Sequence, residues 1–195
     1  MRKTAGTISE SLSGRQESLL GAAAQVFARY GYRKTSLDQV ARAAGWSRQG
    51  LYVHFASKEA LFQATVEHAL STHLRAVVDA LSQINQPLNA RLLTACDEWA
   101  GRYIGVGDPE ASDLIGASAS IAGDMVRSYN VRFEDALAEA LSESAAMKAY
   151  EASQLTPSSV AMTLHIAVQG LKDRSETRQR FRSGLKTIIA VLLAH

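Results

Sequence analysis

The sequence predicts an all-α protein with nine helices in two domains, a small three-helix domain followed by a larger helical one. Ala and Leu are abundant, only three prolines interrupt the 195 residues, and apolar residues recur at helical rather than alternating spacing. A chain of this length buries enough surface for a small domain beside a larger core. We place a disordered arm at 1–12, the first domain at 13–60 and the second at 61–195.

The first two helices have clear predicted ends. An apolar stripe predicts a helix near 14–30, and Gly31 ends it. Ser36 and Gln39 have the spacing of a capping box, which predicts that a second helix begins directly after Ser36. Gly45 supplies the left-handed conformation that ends this helix and turns the chain. The two segments predict the first part of a helix-turn-helix.

The third helix follows the tight turn, and Ser47 is placed to cap it. Helical spacing directs Leu51 and Phe55 toward the core. The same spacing exposes four polar or aromatic side chains: Arg48, Gln49, Tyr52 and His54. A helix with this arrangement can enter the major groove, so the sequence predicts a DNA-binding helix-turn-helix.

Positive charge is concentrated in the segment that contains this motif. Residues 1–60 contain nine Lys or Arg and four acidic residues, a net charge of +5, whereas 61–195 contain twelve and fifteen, a net charge of −3. Clustered positive charge attracts phosphates and favours DNA binding through counterion release. An ordinary solvated surface is the alternative explanation, and the helix-turn-helix favours DNA.

The segment from Arg15 to Leu61 contains a characteristic series of residues in a fixed order and spacing: Ala22-Ala23, Phe27, Gly31-Tyr32, Thr35-Ser36-Leu37, Ala41, Ala43-Ala44-Gly45, Ser47, Leu51-Tyr52, His54-Phe55 and Ser57-Lys58-Glu59-Ala60-Leu61. In this order and spacing the segment resembles the TetR (tetracycline-repressor) family of bacterial one-component regulators. Trp46 departs from the family, which more often has a small aliphatic residue in this turn. Beyond Leu61 only the layout is similar. The resemblance implies an N-terminal helix-turn-helix domain and a C-terminal helical domain that binds a ligand and dimerises.

The resemblance further implies a sequence-specific DNA-binding transcriptional regulator, a repressor that a small, largely apolar ligand releases from its operator. Its expected partners are a double-stranded DNA operator with an inverted repeat, a small-molecule effector and a second copy of the chain in a homodimer. A nonspecific architectural DNA-binding protein, a ligand-independent regulator and a protein-interaction module are the alternatives.

The resemblance also implies DNA contacts for particular residues. Ser47, Arg48 and Gln49 lie at the start of the recognition helix, where Arg can bind guanine and Gln adenine at the base edges. Four further residues match positions that contact backbone phosphates in the family: Thr35, Tyr52, His54 and Lys58. Half-buried packing of Tyr52 and a solvated imidazole at His54 are the alternatives. Gly50 is explained either by a close approach to DNA or by simple tolerance.

The second domain is predicted to contain six helices, of which the first starts in the DNA-binding segment. Thr156 as cap and Pro157 at the first helical position mark the eighth helix of the chain especially clearly. Apolar periodicity and the intervening breaks place the six helices near 58–84, 88–103, 110–122, 124–148, 157–171 and 176–193.

Two sets of residues in this domain are predicted to bind partners. Aromatic, sulfur-containing and imidazole side chains on helix faces are candidates for a ligand pocket, with ordinary core packing as the alternative: Cys96, Trp99, Tyr103, Met125, Tyr129, Phe133 and His165. The last two helices are apolar on more than one face, which predicts a four-helix dimer interface. Its candidate residues are Leu164, Val168, Phe181, Leu185, Ile188 and Leu192.

Other classes of protein lack support in the sequence. The single cysteine, Cys96, cannot form an internal disulfide, and no spacing typical of metal ligands is present. Neither a phosphate-binding loop nor a nucleophile elbow is present, so we expect no catalysis and no cofactor. The N-terminus lacks a signal-like apolar stretch, and the apolar run 188–194 is too short to cross a bilayer. We expect a cytoplasmic protein that does not bind membranes.

Overall fold

The computed structural model describes residues 4–104, 111–144, 147 and 154–193, without the side chains of 4–13, 103, 111–113 and 115. Within these residues it contains eight α-helices, one 3₁₀ turn at Gly101–Tyr103 and no strand. The α-helices are α1 (Thr4–Lys34), α2 (Leu37–Ala44), α3 (Arg48–His54), α4 (Lys58–Leu81), α5 (Leu88–Ala100), α6 (Ala111–Ser142), α7 (Pro157–Asp173) and α8 (Arg178–Leu193). The predicted all-α class is confirmed.

The described residues contain eight α-helices where nine helices were predicted, because α6 includes both helices predicted at 110–122 and 124–148. The break predicted between them is present as a kink at Ala122, whose angles are non-helical (φ −126°, ψ 17°). The eighth and ninth predicted helices correspond to α7 and α8.

The N-terminal arm also differs from the expectation. We expected disorder over 1–12 and a helix from about residue 14, whereas α1 begins at Thr4. No proline separates these residues from the amphipathic stripe that follows, so the helix extends backwards from its packed part. Gly31 interrupts α1 as expected, with a positive φ of 74° that an L side chain rarely adopts.

The chain divides into two compact units, whose boundaries fall within α4 and α6. The first unit contains 1–71 and 108–126, and the second contains 72–107 and 127–195. The residues of each unit contact one another, but this does not show which of them bind DNA or a ligand. The functional limits at 13–60 and 61–195 therefore stay a prediction.

Aromatic rings fill the core of the first unit around α1 and the start of α4. Phe27 meets Phe62 edge to face with 5.0 Å between ring centroids, and Tyr32 lies 4.9 Å from Phe62. Leu19 and Leu51 are fully buried in the same cluster, which ties α3 to α1. This packing fixes the position of the short helix α3, which is too short to be stable in isolation.

Both predicted ends of α2 and the predicted start of α7 are confirmed. The Ser36 Oγ accepts from the Gln39 N–H at 3.3 Å, and the Gln39 side chain accepts from the Ser36 N–H at 2.7 Å. Gly45 has the left-handed conformation (φ 68°) that ends α2. Thr156 forms a second capping box with Ser159 at the start of α7. Local sequence is sufficient to set these ends because each cap is made within three residues.

A buried carboxylate joins α5 to α8 in the second unit. Asp97 is almost fully buried, and Arg178 donates to its two oxygens from Nε at 3.1 Å and from Nη2 at 2.8 Å. Arg182 donates to the same carboxylate. A side chain at Gly101 would collide with Asp97, so the glycine leaves room for this pairing. A buried charge requires such partners, because desolvation without them is costly.

His73 makes the stability of the second unit depend on pH. Burial, assisted by the nearby positive charge of Arg102 and opposed by Glu98, lowers the pKa of His73 from 6.5 to about 4. The unfolded state then binds more protons between pH 6.5 and 4, so the free energy of unfolding falls as the pH falls through this window. We expect this group to account for up to about 3 kcal/mol between pH 7 and 3.5. Urea titrations at several pH values should give a shallower slope for His73→Gln than for the parent protein, and equal slopes would contradict the assignment.

Candidate nucleic-acid interface

Helix α3 exposes one face and buries the other, as its spacing predicts. Leu51 and Phe55 are buried in the first unit. The exposed side chains of α3 are Arg48, Gln49, Tyr52, Val53 and His54. The exposure of Val53 was not predicted. The tertiary structure thus presents four of the expected DNA-binding side chains and one further apolar side chain on one short helix.

Arg48 is held in place by residues of α2 and α3. Its Nε lies 3.0 Å from the Asp38 Oδ1, and its guanidinium carbon lies 5.7 Å from the centroid of the Tyr52 ring. The Tyr52 hydroxyl and the Asp38 carboxylate raise the pKa of Arg48, so its positive charge is retained. An arginine has five N–H donors, and contact through Nε leaves the Nη donors for another acceptor. This geometry suits the O6 and N7 of guanine in the major groove.

The turn before α3 is built from side chains that contact one another. The Ser47 Oγ accepts from the Gly50 N–H at 3.0 Å and caps α3. A Cβ at Gly50 would lie only 3.0 Å from the same Oγ. A larger residue at this position would therefore crowd the cap, and both of the earlier explanations for the glycine stay open. The cap uses one lone pair of the Ser47 Oγ. The expected contact of Ser47 with a base would use the hydroxyl hydrogen or the other lone pair.

Trp46, the residue that departs from the family pattern, packs against the core of the first unit. Its ring also meets the His54 ring edge to face, with 5.2 Å between centroids. The Arg15 guanidinium carbon lies 5.8 Å from the Trp46 ring centroid. His54 is thus exposed but not isolated, because it has a side-chain contact that orients the imidazole.

The side chain of Thr35 is buried and bonded within the first unit. Thr35 is only 2% exposed, and its hydroxyl donates to the Gly31 carbonyl at 2.7 Å. The break at Gly31 leaves this carbonyl without a helical partner, and Thr35 satisfies it. Matching the family's spacing does not reveal this, because the burial of a side chain depends on the packed neighbours. The hydroxyl of Thr35 is thus already bonded within the protein, and a phosphate contact at this residue stays a prediction.

Lys58 has an internal role that the sequence did not indicate. Its Nζ donates to the carbonyls of Tyr32 and Arg33 at 3.1 and 3.2 Å, and it lies 4.5 Å from the Tyr32 ring centroid. Lysine carries three donors, so one N–H is left for a phosphate. Loss of DNA binding in Lys58→Ala would therefore not by itself identify a phosphate contact, since the substitution also frees the end of α1.

The predicted ligand-pocket residues are mostly packed core. Trp99 and Phe133 stack almost parallel, with 4.7 Å between ring centroids, and both are buried. Cys96 is fully buried, and burial, with Asp97 nearby, raises the pKa of its thiol to about 12. Tyr129 is buried and lies 4.7 Å from the Arg132 guanidinium carbon. These contacts match the core alternative, and ligand binding by these residues stays a prediction.

Three further pocket candidates have separate outcomes. Met125 belongs to the first unit, whereas Tyr129 and Phe133 belong to the second. The side chain of Tyr103 lies outside the described residues. The His165 Nδ1 lies 2.6 Å from the Glu134 Oε1, and its Nε2 lies 3.1 Å from the Gln169 Nε2. Both ring nitrogens therefore have protein partners, as expected for a core histidine.

Two open grooves occur elsewhere on the second unit. A groove of about 320 Å³ is lined by residues of α4, α5 and α6 together with Ile84, and another of about 310 Å³ by residues of α5 and α8. Neither groove is lined by any of the predicted ligand residues. Within the described part of the chain, no group of three or more His, Cys, Asp or Glu side chains is arranged to hold a metal ion. Among the described helices, none is long and apolar enough to cross a membrane.

Four of the predicted dimer-interface residues are buried within the protomer. Leu164, Val168, Phe181 and Leu185 are at most 1% exposed, and they form the inner faces of α7 and α8. Ile188 and Leu192 are half-buried. The helical period shows that α7 has two apolar faces, but only packing decides which of them points inward. The outer face of α7 carries Met162 and Ile166, which are 49% and 65% exposed.

The N-terminal part of the chain is similar in sequence to known proteins. A sequence model described as "Bacterial regulatory proteins, tetR family" matches residues 19–65, which include all seven predicted DNA-contact residues. The HTH-type transcriptional regulator RutR of Escherichia coli K12 is 38% identical over 72 residues, 37% of this chain and 34% of RutR. The A-factor receptor protein of Streptomyces griseus is 44% identical over 55 residues, 28% of this chain and 20% of that protein. The chain thus spans about a third or less of the length of these relatives.

The fold similarity extends over most of the chain. A putative TetR-family transcriptional regulator from Rhodococcus sp. matches with a TM-score of 0.68 and 22% identity, covering 93% of this chain and 99% of that one. At this identity the match concerns the fold, and it supports an all-α architecture with an N-terminal helix-turn-helix. The relatives and structural neighbours are regulators rather than enzymes, in agreement with the expectation that this chain is not an enzyme.

Proposed function

We propose that this chain is a member of the TetR family of bacterial regulatory proteins, whose model matches residues 19–65, and that it is a sequence-specific DNA-binding transcriptional regulator. The observation that carries the proposal is the arrangement of Arg48 on the exposed face of α3. Asp38 and Tyr52 contact its guanidinium and leave Nη donors available for a further acceptor. A pre-ordered arginine loses less side-chain entropy on binding a guanine than a free one does.

The charge of the N-terminal segment supports DNA as the partner. The net charge of +5 over residues 1–60 supplies attraction to phosphates that does not depend on sequence. Gln49 and Arg48 supply hydrogen-bond donors for base edges, which a nonspecific architectural protein does not require. We therefore favour a sequence-specific regulator over an architectural DNA-binding protein.

We infer further that the regulator is a homodimer acting on an inverted repeat. The outer face of α7 exposes Met162 and Ile166 on a helix whose opposite face is already buried. Burial of this face against a second copy removes it from water, and a two-fold axis makes the contact self-complementary. Paired recognition helices roughly 34–36 Å apart would then reach successive major grooves on one face of the DNA.

We further propose that the protein is a cytoplasmic repressor. A small, largely apolar ligand would release it from its operator. The name of the A-factor receptor protein indicates a ligand for that relative. The filled core around Trp99 and Phe133 favours a second candidate, a regulator that needs no ligand. Thermal-shift screening of apolar metabolites, followed by operator-release assays with each hit, separates the two candidates.

The experiment that tests the function is selection of bound sequences from random DNA, repeated with Arg48 variants. We expect the parent protein to select a short inverted repeat. Arg48→Ala should lower affinity for it by roughly 5- to 150-fold and relax one base position in each half-site. Arg48→Lys, which keeps the charge but loses the fork of donors, should also relax that position.

Arg42→Ala is the matched control, because it removes one exposed positive charge from α2 in the same unit. We expect it to weaken binding to selected and random DNA by a similar factor without changing base preference. Equal losses on selected and random DNA for Arg48→Ala would refute the base contact. Failure of the parent protein to select any sequence would refute the proposed function.

A further inference from the structure

Val53 is an unusually exposed apolar side chain on the recognition helix. It is 78% exposed, although it lies two residues after Leu51, which is fully buried. Valine has a lower helix propensity than unbranched residues, and in the last turn of α3 it gains no burial in exchange. Neither helix stability nor core packing therefore explains the residue at this position.

The position of Val53 relative to Gln49 indicates what it contacts. The two residues are four apart on α3, so their side chains lie on the same face one turn apart. The adjacent surface carries Arg48 and His54, both exposed. A single apolar side chain among cationic and polar groups does not form the hydrophobic centre of a protein interface. It suits a surface that is mostly polar and negatively charged with isolated apolar groups.

The major groove of DNA is such a surface. Its base edges present hydrogen-bond donors and acceptors, and its one apolar group is the C5-methyl of thymine. We propose that Val53 is a specificity-determining residue that packs its γ-methyl groups against a thymine C5-methyl in the operator. The inference rests on the proposed function and adds the base type that this position selects.

The geometry of α3 also predicts where the thymine lies. Four residues of an α-helix rise by about 6 Å, which corresponds to about two base pairs at 3.4 Å each. The thymine contacted by Val53 therefore lies within about two base pairs of the base contacted by Gln49. We expect this thymine on the side of the Gln49 base that faces the C-terminal end of α3, since Val53 follows Gln49 along the helix.

Replacement of single thymines by deoxyuridine tests the contact, because it removes only the C5-methyl group. On the selected operator, the parent protein should lose affinity roughly three- to tenfold at one thymine per half-site, as expected for one buried methyl contact. Val53→Ala should bind the unmodified operator more weakly by a similar factor and should show no further loss at that thymine. Val53→Thr, which keeps one γ-methyl group, should retain part of the sensitivity.

Val131→Ala is the matched control, because Val131 is also exposed, at 55%, and lies on α6 of the second unit. It should leave both affinity and deoxyuridine sensitivity unchanged. The inference is overturned, and the proposed function left intact, if deoxyuridine at every sensitive thymine weakens binding of Val53→Ala as much as binding of the parent protein. It is also overturned if deoxyuridine weakens binding of the parent protein at no thymine. A parent protein that selects no DNA sequence overturns the proposed function and the inference together.

Discussion

Replacing Phe133 by Ala is expected to lower the free energy of unfolding by about 3–5 kcal/mol, as is typical for truncating a buried aromatic ring. Phe133 is fully buried, stacks on Trp99 and meets the edge of the His165 ring. Removal of the Phe133 ring leaves a cavity that the rigid rings of Trp99 and His165 cannot fill. The contacts of these two rings with Phe133 are also lost. Urea titration followed by circular dichroism measures the change.

Two further variants keep this test informative. Val131→Ala, on the same helix but exposed, should change stability by less than about 0.5 kcal/mol. Phe133→Leu should cost less than Phe133→Ala, because it leaves a smaller cavity. If Phe133→Ala cost under about 1 kcal/mol, the ring would not be needed to fill the interior. A ligand pocket at this position would then replace the packed core as the better description.

Replacing Ile166 by Arg is expected to convert the proposed dimer into a monomer and to abolish tight operator binding. Ile166 is 65% exposed in the protomer, so the substitution does not disturb the internal packing of α7. In a dimer it would bury an unpaired charge twice, once from each copy, at a cost of several kcal/mol. Sedimentation velocity at micromolar concentration and operator titration measure the two effects.

The control for this change is Val131→Arg, which introduces the same charge on an exposed position of α6. It should leave the chain dimeric. Leu164→Arg is unsuitable as a test, because Leu164 is 1% exposed and a charge there would unfold the protomer. A dimer of Ile166→Arg with unchanged dissociation constant would contradict the proposal that the outer face of α7 forms the interface.

Comparing the predicted and observed sites shows which kind of statement the sequence supported. The exposure of Arg48 and Gln49 and the burial of Leu51 followed from helical spacing within seven residues of α3. The burial of Thr35 and the contacts of Lys58 with two carbonyls of α1 did not follow from spacing. Both depend on the break at Gly31, whose carbonyl and neighbours need partners that only the folded chain brings close.

Helical spacing could not decide the pocket or the dimer face for a related reason. An aromatic stripe at helical spacing is the same pattern whether it lines a cavity or fills a core, and only the stacking of Trp99 on Phe133 distinguishes the two. In α7, Leu164 lies on a buried apolar face, and Ile166 lies on a second apolar face on the opposite side of the helix, which is exposed. The sequence therefore predicted two apolar faces without predicting which one the protomer uses.

The sequence by itself determined the all-α class, the helix-turn-helix, both ends of α2 and the start of α7, because caps such as Ser36 with Gln39 act over three residues. The tertiary structure alone decided the pairing of Asp97 with Arg178, which are 81 residues apart, and the direction in which each amphipathic face points. Local hydrogen bonds join residues that are close in the sequence, so the order of residues predicts them. Burial depends on which distant segment covers a face, and that is fixed only when the helices pack.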